Sequence, residues 1–249
     1  MSDAAGDTAP TLPVELIAAP AEEPGPRAAY GELGGARIRL CVFCGSSTGR
    51  GAIDVEAAQG VGKAIAARGA GLVYGGASVG LMGVVADAAL GAGVEVVGVL
   101  PEALAVAEVA HPALGRLELV TTMHERKARM AELSDGYVVL PGGLGTLEEM
   151  FEVWTWAHLG IHRSPLGLLN IGGYFDPLLR FVDDAVEAGF VPARSRDLVV
   201  VGDDPQRLVD DVIGRIVRDA PAPDPRAHVG EILAERRLRQ ADAGGTAER

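Results

Sequence analysis

The chain has 249 residues, 48% hydrophobic and only 4% aromatic, with a formal net charge of −12 and a pI near 4.9. A protein that grips a nucleic-acid backbone needs a basic face, so this balance argues against nucleic acid as a partner; small anions can still be held by local backbone N–H groups. No apolar run reaches the length of a membrane span and no basic region leads into an apolar stretch near the N-terminus, so the expected setting is the cytoplasm, away from membranes.

Residues 1–35 are rich in Ala, Pro, Gly and Glu without periodicity and read as a disordered acidic tail. Residues 36–218 read as one folded unit. The segment 219–249, with PAPDPRAH, then a short charged EILAERRLRQ, then AGGTAER, reads as a flexible tail.

Within the folded unit, apolar runs alternate with helical patterns. RIRLCVF (37–43) reads as a strand, and 53–68 as a helix with apolar positions at Val55, Ala58, Val61 and Ile65. GLVYGG is a strand ending in glycines, 81–90 a helix stopped by Gly91-Ala92-Gly93, and VEVVGVL a strand that Pro101 ends. LELV (117–120) is a short strand, 123–133 a helix, GYVVL (136–140) a strand and 147–159 a helix. PLGLLN, DLVVV and the helices 177–188 and 205–217 complete the set. Strands separated by helices imply crossover connections. The expected fold class is therefore α/β: a Rossmann-like, doubly wound, mostly parallel sheet with helices on both faces. Ligands of such sheets bind at the carboxyl ends of the strands, near the point where the strand order reverses.

Three glycine-rich loops follow expected strands: CGSSTG (44–49), YGGASVGLMG (74–83) and PGGLGT (141–146). All three belong on one carboxyl edge. Neither GxGxxG nor GxxxxGK[ST] occurs, so dinucleotide binding and phosphate-loop ATP hydrolysis are not supported.

The stretch LPGGLGTLEEM (140–150) places two glutamates directly behind a phosphate-type loop. Gly142, Gly143 and Gly145 allow close approach of an anion and positive φ. Thr146 is the expected N-cap of the next helix, with T-L-E-E (146–149) as a capping box. Glu149 is then either a capping group or a chemical one, and the two roles compete for one carboxylate. Arg126 and Lys127 start the preceding helix, in MHERK, and would suit a phosphate with a carboxylate close by. The chain has only two lysines, Lys63 and Lys127.

Together these residues resemble the Lonely Guy (LOG) family of cytokinin-activating phosphoribohydrolases, whose signature PGGxGTxxE reads PGGLGTLEE from Pro141 to Glu149. CVFCGSS, the second glycine loop, the VAH at His111, MHERK, SDGYVVLPGG, EVWTWAHLGIH and GYFDPLL extend the resemblance over about residues 37–210. It implies a homodimer that hydrolyses the N-glycosidic bond of adenine-type nucleoside 5′-monophosphates, giving free base and ribose 5-phosphate, with no cofactor and no metal. Carried over by position, Arg126 and Glu149 are the catalytic pair. Glu108, Lys127, Gly142, Gly143, Leu144, Gly145, Thr146 and Thr155 are the substrate and phosphate contacts. Glu149 would stabilise an oxocarbenium-like sugar, activate the attacking water, or both. Arg126 would keep Glu149 oriented and ionised, or bind substrate oxygens. The sequence departs from the family pattern at Ala77, where a third glycine is usual; positive φ at that position would strain an alanine.

Other residues read as structural. Cys41-x-x-Cys44 starts in an expected buried strand and has no second pair. His158 and His162 have helical metal spacing without an HExxH, and Gly160 between them ends the helix. His111 and His124 fall near the cleft. Trp154 and Trp156 point one to the core and one to an interface or pocket wall. Two further functions stand beside the glycosidase: a non-catalytic nucleotide sensor using the same loops, which would have little need of Glu149, and a pyridoxal-phosphate decarboxylase, which would have to use Lys63 or Lys127.

Overall fold

The computed structural model describes residues 38–107 and 110–219, so the expected N-terminal tail, Glu108 and all of the expected C-terminal tail but Asp219, which ends a helix, lie outside the described residues. The order is β1 (Arg39–Phe43), α1 (Ala52–Ala67), β2 (Gly71–Tyr74), α2 (Gly80–Gly91), β3 (Val96–Pro101), α3 (Glu102–Ala107), β4 (Arg116–Val120) and α4 (Met123–Glu132). It continues through β5 (Gly136–Val139), α5 (Leu144–His158), β6 (Leu166–Leu169), α6 (Asp176–Glu187), α7 (Ala193–Arg196), β7 (Val199–Gly202) and α8 (Pro205–Asp219). A 3₁₀ turn at Ile171–Gly173 precedes α6.

The seven strands form one sheet in the order β4-β3-β2-β1-β5-β6-β7, every neighbouring pair parallel. Central strands buried on both sides explain the unbroken apolar runs such as VVGVLP. Alternate residues feed opposite layers. Leu40, Val42 and Cys44 join α1, α2 and α8 on one face, through Val61, Ile65, Val85, Leu208 and Val212. Cys41 and Phe43 join α4, α5 and α6 on the other, through Met130, Met150, Trp154 and Leu179. The doubly wound expectation is met.

The strand order turns around at the β1/β5 boundary, with β2 to β4 on one side and β6 to β7 on the other. The three glycine loops follow β2, β1 and β5, which are adjacent, and they are bonded to one another. Gly45 N–H donates to the Pro141 carbonyl at 3.1 Å, and Leu81 N–H to the Gly45 carbonyl at 3.0 Å. A side chain at Gly80 (φ 59°) would collide with the Ser46 backbone.

Two expectations at element ends are corrected. α5 starts at Leu144, three residues before the expected position, because Gly143 and not Thr146 is its N-cap. Pro101 closes β3 but leads directly into α3, which the proline hid.

Candidate active site

The mouth of α5 is open. Gly143 is extended (φ −91°, ψ −158°) and no side chain caps the helix, so its first-turn N–H groups lack intrahelical partners. Nothing stands within 4 Å of where side chains at Gly143 or Gly145 would be, and Leu144 is 87% exposed. None of Gly142, Gly143 and Gly145 has positive φ, so that expectation fails; what the glycines supply is space. At Gly142 the need is steric: a Cβ would lie 2.2 Å from Thr146 Oγ1, because the buried Thr146 packs back over the loop and does not cap the helix. The Tyr174 hydroxyl, which the sequence reading left without a role, donates to the Gly142 carbonyl and fixes that peptide. Its place in GYFDPLL was the available signal.

The capping box sits instead on α4. Thr122 Oγ1 accepts from Glu125 N–H at 3.1 Å while the Glu125 carboxylate accepts from the N–H groups of Thr121 and Thr122 at 2.8 and 3.3 Å. This firm start aims the next residue, Arg126, under the sheet edge. Arg126 Nε donates to the Val99 carbonyl at 3.1 Å and Nη2 to the Gly75 carbonyl at 3.4 Å. Its Nη1 stands 3.4 Å from Glu149 Oε1, and both residues are 9% exposed. Glu149 therefore serves no cap of its own helix. Burial raises its pKa above the usual carboxylate range; Arg126 pulls the other way but less strongly.

Lys127 is committed elsewhere. Its ammonium pairs with Glu148 at 2.5 Å and Glu152 at 3.0 Å on α5. Burial opposes its charge, but the two carboxylates outweigh it and raise its pKa above the ordinary lysine value. A Schiff-base lysine needs an accessible neutral amine, which Lys127 is not; Lys63 is exposed on α1.

Thr155 does not join this cleft within one chain. Six residues beyond Glu149, it lies roughly 120° around the helix. There it lines a groove with Phe151, Trp154, His158, Val182 and Phe190. Trp154 is the core tryptophan, its indole N–H donating to the Ser195 carbonyl at 2.7 Å; the half-buried Trp156 stands edge-on to His162. The two histidines of the metal-like spacing go different ways, His158 Nδ1 to Ser195 Oγ at 2.6 Å and His162 against the Tyr137 ring. Gly160, at φ 74°, follows the end of α5 as expected. Cys41 and Cys44 are free and buried in opposite layers, their thiols pushed up by burial and by Glu149. Of the two cleft histidines, His124 is exposed in the first turn of α4 and His111 is buried.

Ala77 bears no left-handed demand. The loop's positive φ angles fall on Gly76 (80°) and Gly80 (59°), while Ala77 forms an antiparallel bridge with Ala110.

Residues 82–212 match the family described as "Possible lysine decarboxylase". The probable cytokinin riboside 5′-monophosphate phosphoribohydrolase LOGL9 of Oryza sativa subsp. japonica is 53% identical over 171 residues, covering 69% of this chain and 75% of the rice protein. The cytokinin riboside 5′-monophosphate phosphoribohydrolase LOG3 of Arabidopsis thaliana is 47% identical over 171 residues, 69% of this chain and 80% of that one. Among solved structures, the molybdenum cofactor binding protein from the phototrophic bacterium Rippkaea orientalis aligns with a TM-score of 0.57 at 22% identity, over 73% of this chain and 98% of that one. That likeness speaks to the fold alone.

Proposed function

We propose a function from one premise: this chain belongs to the Lonely Guy (LOG) family of phosphoribohydrolases. It is a hydrolase that releases the base from adenine-type (cytokinin) nucleoside 5′-monophosphates. The residues that do so are our assignment. The observation that carries it is the buried Arg126–Glu149 pair beside an uncapped helix mouth.

The 5′-phosphate sits on the backbone N–H groups of Gly143 to Thr146, where the helix dipole favours an anion. The ribose follows, and C1′ comes opposite Glu149. Water adds to C1′ as the C1′–N bond breaks. The electron pair leaves with the base, and the water's proton ends on the base. Positive charge gathers on the sugar in the transition state, and the Glu149 carboxylate stabilises it or draws the proton from the water. Arg126 offsets part of the cost of burying the Glu149 carboxylate and, held by two carbonyls, keeps it in place. Phosphate binding supplies the positioning energy. Lys127 adds positive potential from behind Glu148, and Gly142 sets the loop's approach. Glu108 belongs to the same substrate set by resemblance.

We include a homodimer and a cytoplasmic setting in the proposal. Thr155 and the apolar groove around it lie on a face that a second copy can cover, and Thr155 contacts substrate only across such an interface. Two free cysteines suit a reducing compartment. Among the described residues no helix is long and apolar enough to cross a membrane.

The test is chromatography of reactions with AMP, N6-isopentenyl-AMP, the corresponding riboside and GMP. Free base from both adenine monophosphates, and none from the riboside, is the expected result. Bound AMP with no release would return the protein to the nucleotide-sensor reading.

A further inference from the structure

Arg126 hangs from two carbonyls of different stiffness. Val99 belongs to β3, inside the sheet. Gly75 lies past the end of β2, in a run of two glycines with Gly76 at φ 80°. Glycine backbone is the freest there is, so something outside the loop must fix the Gly75 peptide.

That something is the segment around His111, whose VAH motif the proposed chemistry does not use. His111 N–H donates to the Gly76 carbonyl at 3.0 Å, and Ala110 bridges Ala77. From Ala110 to Gly115 the described residues form turns between that bridge and β4, and the His111 imidazole ties them down. Nδ1 accepts from Ala113 N–H at 3.3 Å, so the ring proton is on Nε2, which donates to Asp87 Oδ1 on α2 at 3.1 Å. The His111 side chain is 3% exposed, whereas Asp87 is 74% exposed.

We propose that His111, latched to Asp87, is a positioning residue for the hydrolysis: it clamps the Gly75–Ala77 loop onto α2 and so holds Arg126 against Glu149. The latch touches neither the helix mouth nor the phosphate. It acts on turnover and not on capture of the nucleotide. The inference rests on the glycosidase reading above.

The experiment uses the full chain with AMP as substrate and compares wild type, Asp87→Ala, His111→Leu, His111→Gln and the double variant Asp87→Ala/His111→Leu. Asp87→Ala is the informative one, because an exposed carboxylate can be removed without opening the core. Its kcat falls about tenfold while KM stays within about threefold. His111→Leu falls at least as far, and adding Asp87→Ala to it costs nothing more. His111→Gln, whose amide can still donate to Asp87, recovers part of the loss. Amide hydrogen exchange is read on the same proteins: the His111 N–H exchanges about tenfold faster in Asp87→Ala than in wild type. Wild-type kcat in Asp87→Ala, or unchanged exchange at His111, overturns the latch. A wild type that binds AMP and does not turn it over overturns the glycosidase reading instead, and the exchange rates alone then decide whether the clamp exists.

Discussion

Glu148 and Glu149 are neighbours on one helix, yet their carboxylates go to different cations: Glu148 to Lys127 at 2.5 Å and Glu149 to Arg126 at 3.4 Å. Two consecutive residues of α4 thus meet two consecutive residues of α5. The outer pair ties the helices together near solvent. The inner pair is buried beneath the glycine loops, and its 3.4 Å separation is longer than a tight charged hydrogen bond, which leaves room to close on a substrate.

Glu149→Gln separates binding from chemistry. Gln keeps the shape and removes the negative charge that the developing oxocarbenium needs. Turnover of AMP should fall by 10²-fold or more while AMP affinity, measured by calorimetry, holds or improves, since a carboxylate near a phosphate repels it. Near-normal kcat in this variant would remove Glu149 from the mechanism.

Gly75→Ala tests Arg126 without touching it. A Cβ at Gly75 would lie 2.1 Å from Arg126 Nη2 and 3.1 Å from Met82 Sδ. The guanidinium must move, and with it the partner of Glu149. We expect a loss of kcat on the order of 10²-fold, similar to that of Arg126→Ala, in a protein whose circular dichroism is native. If Gly75→Ala turns over normally, the arginine's exact seat is unimportant.

The layer order and the meeting of three loops were legible because they follow from local pattern: apolar runs, helical spacing and glycines at strand ends. The start of α5 was not. Leu144 lies between two glycines and so reads as part of the loop, and Thr146 followed by Glu149 imitates a cap, while in the structure Gly143 is the N-cap and Thr146 packs over Gly142. The start of α4 at Met123 was legible, and its capping box was equally present in sequence, as Thr122 and Glu125. The seat of Arg126 was beyond reach for another reason: both its acceptors are backbone carbonyls, which leave no residue-type signature. Thr155 was assigned by resemblance alone, and the helical angle from Glu149 takes it to another face.

Ala77→Gly checks whether the unusual alanine matters. Ala77 is 1% exposed and sits in a bridge with Ala110, with the left-handed angles on its neighbours. Restoring glycine adds freedom to the unfolded chain and gives the fold nothing. We expect a loss of roughly 0.5–1 kcal/mol in denaturant unfolding and no gain in kcat. A rise in kcat would mean that the alanine does hold the loop in a strained state.

The pH behaviour of Glu149 links activity to stability with a definite sign. Burial is the main cause of its raised pKa; Glu148 and Glu152 push the same way, and Arg126 and Lys127 oppose without winning. The proposed chemistry needs the ionised form, so the acid limb of kcat against pH should lie above the ordinary glutamate range. For stability, the folded state binds this proton more tightly than the unfolded chain does. The resulting stabilisation is complete below the ordinary glutamate value and is lost as pH rises through the folded value. At neutral pH the ionised carboxylate is therefore a net cost to the fold relative to the unfolded chain, with the pull of Arg126 already counted. Glu149→Gln, which mimics the protonated form, should raise Tm relative to wild type at pH 7 to 8, and the difference should shrink as the pH is lowered toward 4. Calorimetric scans of both proteins across that range decide it. A glutamine variant that melts first at neutral pH, with the gap closing as pH falls, would show that Arg126 wins over burial and place the acid limb of kcat below the ordinary range, whereas a Tm difference independent of pH would show that the two effects cancel and leave the acid limb at the ordinary glutamate value.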